Sequence, residues 1–186
     1  GCGSGAGGIL AARLLQADAD VAAHPVRLLF TDVNARALRF AAVNAELAGV
    51  PHFECRRSDV LANVPEPVDL VLAHPPGLLD PQERAYRHGG GELGTGLALH
   101  IVEQSLQRLA PGGRLLLYTT APVVNGVDVL WRALRPLLSR AAVERNATHR
   151  YGLIDPDVSG AELAQPAYAQ VERLSVMGLS VQMPLH

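Results

Sequence analysis

The chain opens on a glycine-rich loop, and this loop constrains the fold more than any other feature of the sequence. Five of residues 1–8 are glycine. Glycine lets a backbone approach a nucleotide-like ligand closely, and a helix that follows such a loop offers free N–H donors at its N-terminus. The segment is therefore typical of the turn between a strand and a helix that cradles a cofactor. Because residue 1 already lies inside this loop, we expect the first strand of the sheet to lie N-terminal to it.

Composition limits the number of domains and the classes of partner. With 186 residues, 48% of them hydrophobic, the chain is long enough for one sizeable core, so residues 1–186 are predicted to form one domain. A net charge of −2, with both signs interspersed, gives no general attraction to nucleic acid or to an anionic membrane. No apolar stretch approaches the roughly 20 residues that a membrane span requires. Cys2 and Cys55 fit a reduced compartment, and the cytoplasm is the expected location.

Helical and strand patterns alternate along the first two thirds of the chain. Short apolar runs predict buried strands between stretches of apolar residues at helical spacing. These runs lie at residues 26–30, 52–57, 68–73 and 114–119. Strands that are apolar on both faces and alternate with helices predict an α/β fold, a doubly wound and mostly parallel sheet with helices on both sides.

The last third of the chain follows a different pattern. A helix is predicted at residues 129–138 and a strand at 171–182, but no crossover helix separates the last two strands. A terminal antiparallel hairpin explains this, with residues 155–170 as the long connection inside it.

Polar and glycine residues follow successive predicted strands. In doubly wound sheets, ligands bind beyond the carboxyl ends of the strands, which is where Gly1–Gly5, Asp32, Asp59 and His74 are expected. The sequence therefore predicts a ligand site at this edge of the sheet.

The glycine loop by itself leaves the ligand open. The loop also fits the G-x-G-x-x-G pattern of dinucleotide-binding proteins, through Gly3, Gly5 and Gly8 with Asp32 one strand later. On this basis an NAD(P)-dependent oxidoreductase and an S-adenosylmethionine-binding protein are equally compatible with residues 1–8.

The glycine loop is followed by Asp32, Asp59 and a Pro-Pro turn, each at the end of a predicted strand. This order resembles the class I S-adenosylmethionine-dependent methyltransferases over nearly the whole chain. The Pro-Pro turn follows the strand at residues 68–73, which is the fourth strand when the one expected before residue 1 is counted. The resemblance implies a Rossmann-like methyltransferase sheet with S-adenosyl-L-methionine as cofactor. It also implies that Gly1, Gly3 and Gly5 carry the methionine part of the cofactor.

The same resemblance assigns the remaining cofactor contacts. Asp32, which follows the strand predicted at residues 26–30, is expected to accept hydrogen bonds from both ribose hydroxyls, a task suited to a carboxylate. Asp59 and the backbone of Val60 are expected to meet the adenine, although an aspartate in this position is also a common turn or helix-capping residue. His74 is expected to border the cofactor.

The segment Arg87–Gly94 and the helix after it are similar to the subgroup that contains the methyltransferase small domain and the release-factor glutamine N5-methyltransferases. That subgroup carries Asn-Pro-Pro-Tyr after the fourth strand, where this chain has His74, Pro75, Pro76 and Gly77.

The three residues His74, Pro75 and Pro76 are expected to be catalytic. For His74, orientation of the acceptor is preferred to the role of a general base, and a residue that only forms the turn is the alternative. Relative to Asn-Pro-Pro-Tyr, this chain lacks the asparagine amide and the tyrosine ring, which predicts a pocket that is more open at Gly77. This difference favours a protein side chain or a small molecule over nucleic acid as methyl acceptor. A module that binds S-adenosylmethionine without catalytic activity stays open as an alternative function.

The histidines and cysteines show no metal-ligand spacing, so no metal site is expected.

Overall fold

The structure, a computed structural model, describes residues 1–17, 25–84, 86–158 and 160–186, and for residues 155–158 it describes the backbone alone. The chain divides into two compact units, Gly1–Pro65 and Glu66–His186, and each is described by itself. In the described ranges, every helix is too short or too polar to cross a membrane.

The first unit alternates helices and strands in the predicted order. Its elements are α1 (Ala6–Ala17), β1 (Leu28–Asp32), α2 (Ala35–Leu47) and β2 (Phe53–Arg57). The two strands pair in parallel, with Leu28 opposite Phe53 and Asp32 opposite Arg57, so both carboxyl ends lie at the same edge. Helix α2 begins after Asn34, whose side chain accepts the N–H of Arg36 and thereby caps the helix.

The first unit has its own apolar core, in which glycine permits close packing. The buried members are Phe30, Leu38, Ala41, Ala45 and Val50, with Cys2 and Cys55 among the partly buried side chains against them. A Cβ atom on Gly8 would lie 2.9 Å from Cε1 of Phe30. The glycine therefore allows α1 to approach β1 more closely than an alanine would.

The second unit contains a five-stranded mixed sheet. Its strands are β3 (Val68–Ala73), β4 (Leu109–Val124), β5 (Val127–Asp128), β6 (Thr148–Val158) and β7 (Arg173–Gln182). The order is β3-β4-β7-β6, with the short β5 paired to β4. Only β3 and β4 pair in parallel among these described strands, while β4 with β7 and β6 with β7 are antiparallel. The predicted C-terminal antiparallel hairpin is therefore confirmed.

The helices of the second unit are α3 (Gly96–Arg108), α4 (Val129–Arg145) and the short α5 (Gly160–Leu163). Helices α3 and α4 both contact β4. Side chains alternate along this strand: Leu117 and Thr119 are buried, whereas 37% of Leu116 and 44% of Tyr118 is exposed. The sheet thus has one buried face and one accessible face along β4.

Three predicted boundaries differ from the structure by four residues or more. The strand predicted at 114–119 extends over the whole of β4, and the helix predicted at 129–138 continues to Arg145. Residues 155–158, predicted as part of a connection, belong to β6. Pairing with β7 continues through this segment because two register shifts, on either side of Asp155, accommodate the irregularity near Pro156. The single domain and the strand before residue 1 stay predictions.

Candidate functional site

The carboxylate of Asp32 holds the glycine loop at the end of β1. Its Oδ2 accepts the backbone N–H of Gly3 at 3.1 Å, and its Oδ1 accepts the backbone N–H of Asn34 at 2.9 Å. Only 7% of the residue is exposed. A carboxylate has about four acceptor positions, so each oxygen of Asp32 retains one for a further donor.

Two further hydrogen bonds fix the loop. The N–H of Cys2 donates to the carbonyl of Thr31 at 2.9 Å, and Nδ2 of Asn44 on α2 donates to the carbonyl of Ser4 at 2.8 Å. The glycines have different surroundings: a Cβ on Gly5 would lie 3.0 Å from Cε1 of Phe30, whereas a Cβ on Gly1 or Gly3 would meet nothing within 4 Å. Gly3 also has a φ of +55°, a left-handed conformation that favours glycine. The loop is therefore anchored on one side and open on the other.

The turn after β2 is tied to the same strand end. Ser58 donates its N–H to the carbonyl of Asp32 at 3.1 Å, and its hydroxyl accepts the N–H of Asn63 at 3.0 Å. Asp59 is exposed and Val60 is buried, with a φ of +50°. The first unit therefore brings the glycine loop, Asp32 and the Asp59 turn to one edge.

His74, the fourth feature expected at the ligand-binding edge, lies in the second unit. His74 follows β3 and is exposed, Pro75 and Gly77 are buried, and Pro76 is partly buried. The hydroxyl of Thr119 donates to the carbonyl of Pro75 at 3.1 Å. One of the two lone pairs of the Pro75 carbonyl oxygen is therefore used within the protein.

Gly77 does not open the site, and this part of the prediction was wrong. A Cβ at this position would lie 2.1 Å from Oγ1 of Thr120 and 2.7 Å from Oγ1 of Thr119. The Thr120 hydroxyl is also held in place, because it donates to the carbonyl of Gly77 at 2.6 Å. The space that a side chain at residue 77 would need is thus occupied by two threonines of β4.

The loop after Gly77 is anchored by polar contacts. The hydroxyl of Tyr168 accepts the N–H of Leu79 at 2.6 Å, and Nδ1 of His88 accepts the N–H of Asp80 at 3.1 Å. Hydrogen bonds from Arg84 hold the pKa of the Asp80 carboxyl well below its usual range. His88 is therefore a partly buried acceptor and not an exposed loop histidine.

The two cysteines have the properties of packing residues. Burial, with the nearby charge of Asp32, raises the pKa of the Cys2 thiol to about 11, and burial also raises the pKa of Cys55. Both side chains are therefore protonated at neutral pH, which fits a space-filling role for Cys2. The cytoplasmic location expected from these thiols stays a prediction. Within the described ranges no three histidine, cysteine, aspartate or glutamate side chains form a group that could hold a metal ion.

Several positioning residues were not found from the sequence. Asn44 lies forty residues from the loop that it contacts, and Thr119 lies forty-four residues from Pro75. The one signal available for the threonines was their position at the end of the strand predicted at residues 114–119. Their partners depend on the parallel register, which pairs Ala73 with Leu117.

A glycine loop held by an acid at a strand end, on an α/β fold, is typical of a nucleotide-type cofactor site. Comparison with known proteins identifies the family. Residues 1–141 match the methyltransferase small domain family. The chain therefore belongs to this family, which implies S-adenosylmethionine as the cofactor and displaces the dinucleotide alternative.

Individual relatives agree with this assignment. The chain is 41% identical over 101 residues to a release factor glutamine methyltransferase from Cereibacter sphaeroides, an alignment that covers 47% of this chain and 36% of the relative. The chain thus matches little more than a third of that protein.

Two solved structures share the fold. A ribosomal protein L11 methylase from Lactobacillus delbrueckii subsp. bulgaricus is 19% identical, with a TM-score of 0.53 over 99% of this chain and 67% of that chain. TrmN from Thermus thermophilus is also 19% identical, with a TM-score of 0.55 over 98% of this chain and 42% of that chain. They support the predicted Rossmann-like methyltransferase fold.

Proposed function

We propose that this chain binds S-adenosylmethionine and transfers its methyl group to a protein side chain or a small-molecule acceptor. The observation that carries the proposal is the hydrogen bond between the Gly3 N–H and the Asp32 carboxylate. It joins the two features that a class I methyltransferase uses for the cofactor, the glycine loop and the acid of the neighbouring strand.

The residues of the first unit fit this cofactor. The open side of Gly1 and Gly3 leaves room for the methionine part along the loop backbone, with Gly5 at the start of α1. The remaining acceptor positions of Asp32 suit two ribose hydroxyls. Asp59 and the Val60 backbone, fixed by the turn after β2, are the proposed adenine contacts.

Residues of the second unit are the proposed contacts of the methyl acceptor. When bound, S-adenosylmethionine supplies an electrophilic methyl group on a sulfonium. Because this leaving group needs little assistance, orientation and proximity account for much of the rate and a general base is optional. The exposed imidazole of His74 orients the acceptor by a hydrogen bond, and the free lone pair of the Pro75 carbonyl accepts a second one. Pro76 keeps the preceding backbone extended.

A protein acceptor is the first choice among the possible substrates. The relative at 41% identity is named for glutamine methylation of a release factor, which is a protein. The change from an amide to an imidazole at residue 74 argues against the same acceptor group. The net charge of −2 provides no general attraction for a phosphate backbone.

Transfer of a labelled methyl group tests the proposal. The full-length protein is incubated with tritiated S-adenosylmethionine and an extract of cells that lack this protein. One portion of the labelled product is then digested with protease and another with nuclease. We expect acid-insoluble label that protease releases, or label in the small-molecule fraction, and little label with Asp32→Ala. Release by nuclease would move the acceptor to nucleic acid. Cofactor binding without any transfer would favour a binding module.

A further inference from the structure

We propose that Tyr118 is a positioning residue for His74 and that it supplies the acceptor-side ring that residue 77 cannot carry. The inference rests on the proposed role of His74 in orienting the acceptor. It concerns a residue of β4, a strand that adjoins the His-Pro-Pro turn through its pairing with β3.

The strand register brings the two side chains together. Ala73, the last residue of β3, pairs with Leu117 of β4, so the residues that follow them, His74 and Tyr118, lie side by side. Tyr118 lies on the accessible face of β4, with 44% of the residue exposed, whereas its neighbours Leu117 and Thr119 are buried.

The two rings adopt an edge-to-face arrangement. Their centroids are 5.0 Å apart and their planes are inclined by 74°. This is one of the preferred geometries of aromatic pairs. In the described part of the chain, Tyr118 provides the ring contact of His74, and no hydrogen bond to the imidazole is present. The ring plane is thus held by packing while both imidazole nitrogens stay available to an acceptor.

Other positions are poorly placed to supply this ring. A side chain on Gly77 would collide with Thr119 and Thr120. Tyr86 is 75% exposed and its ring lies under the Arg84 guanidinium, 5.6 Å from the ring centroid. Tyr118 therefore occupies the position beside the acceptor-orienting residue, reached from a neighbouring strand.

Three variants of the full-length protein test the proposal. Tyr118→Phe keeps the ring, Tyr118→Leu removes it, and Tyr86→Leu removes an exposed tyrosine elsewhere in the same unit. The first readout is the NMR shift of the His74 Cε1 and Cδ2 protons, assigned by comparison with His74→Asn. The second is methyl transfer at saturating S-adenosylmethionine into the acceptor fraction found with the cell extract, together with the calorimetric Kd for the cofactor.

We expect Tyr118→Leu to move both His74 resonances and to lower the rate at saturating cofactor by about tenfold to a hundredfold, the effect of a misplaced reacting group. The Kd for S-adenosylmethionine and the melting temperature stay near those of the parent, and Tyr118→Phe and Tyr86→Leu behave like the parent. Unchanged His74 resonances in Tyr118→Leu would overturn the proposal, as would a fall in cofactor affinity that accounts for the lost rate. If the parent transfers no methyl group, the failure belongs to the proposed function, and unchanged His74 resonances in Tyr118→Leu would still overturn the role of Tyr118.

Discussion

The backbone N–H of Gly3 donates a 3.1 Å hydrogen bond to Oδ2 of Asp32, twenty-nine residues further along the chain. The other carboxylate oxygen accepts the N–H of Asn34 at the start of α2. One buried acid therefore sets the position of both the glycine loop and the next helix. Its proposed contact with the ribose adds to a structural role that the sequence did not predict.

Replacement of Asp32 tests both roles. Asp32→Ala removes two charge-assisted acceptors, and we expect S-adenosylmethionine binding to weaken by about 1.5–3 kcal/mol for each hydrogen bond that is lost, with partial non-additivity. Asp32→Asn keeps an acceptor oxygen and is expected to lose less. Calorimetric titration measures the affinity, and far-UV circular dichroism checks that the variants fold. An unchanged affinity in folded Asp32→Ala would leave this residue with a structural role alone.

Asn44 provides a second test of the loop, from outside the proposed contact residues. Its amide holds the Ser4 carbonyl at 2.8 Å, so Asn44→Ala is expected to loosen the loop and reduce cofactor affinity by about fivefold to tenfold, the value of one ordinary hydrogen bond. The matched control is Glu46→Ala, an exposed position two residues further along α2. We expect a larger Kd for Asn44→Ala than for Glu46→Ala; equal values would show that the Ser4 contact does not position the cofactor loop.

The packing of Gly77 against the β4 threonines predicts a specific coupling. Gly77→Ala places a Cβ against Thr120 and is expected to destabilise the protein by about 1–3 kcal/mol. Thr120→Ala removes the opposing hydroxyl, so the double variant should be less destabilised than the sum of the single variants, by at least about 0.5 kcal/mol.

Chemical denaturation measures these four free energies of unfolding. Gly152→Ala is the control, because a Cβ there meets nothing within 4 Å. Additive effects of the two substitutions would contradict the packing argument. Because a Cβ at residue 77 collides with the two threonines, we also expect that Gly77→Tyr does not restore the tyrosine of the Asn-Pro-Pro-Tyr motif in a working position.

The sequence predicted what local patterns determine and missed what long-range pairing determines. The bounds of β3 and the carboxyl-end position of Asp32 follow from a short apolar run and the polar residue after it. The Thr119 bond to Pro75 and the Tyr118 contact with His74 depend on the β3–β4 register, which periodicity does not specify. Gly77 was misjudged for the same reason: a missing side chain suggests space until the neighbouring strand is known.

The ion pair of Asp80 and Arg84 predicts an acid-sensitive contribution to stability. The Arg84 hydrogen bonds lower the pKa of Asp80 in the folded state, so the contribution is present above the unfolded pKa and is lost progressively as the pH falls below about 4. Asp80→Asn should therefore reduce the melting temperature most at pH 7, and the difference from the parent should shrink towards pH 2. Glu103→Gln, at an exposed position of α3, serves as the control. A difference that does not change with pH would show that the carboxylate charge is not the source of the effect.

Calorimetric titration of the full-length protein with S-adenosylmethionine, its demethylated product and NAD tests which cofactor the glycine loop and Asp32 bind. We expect saturable binding of the first two ligands at one site, no binding of NAD, and a marked loss of affinity in Asp32→Ala. Binding of NAD with none of S-adenosylmethionine or its product would contradict the assignment of the glycine loop and Asp32 to this cofactor.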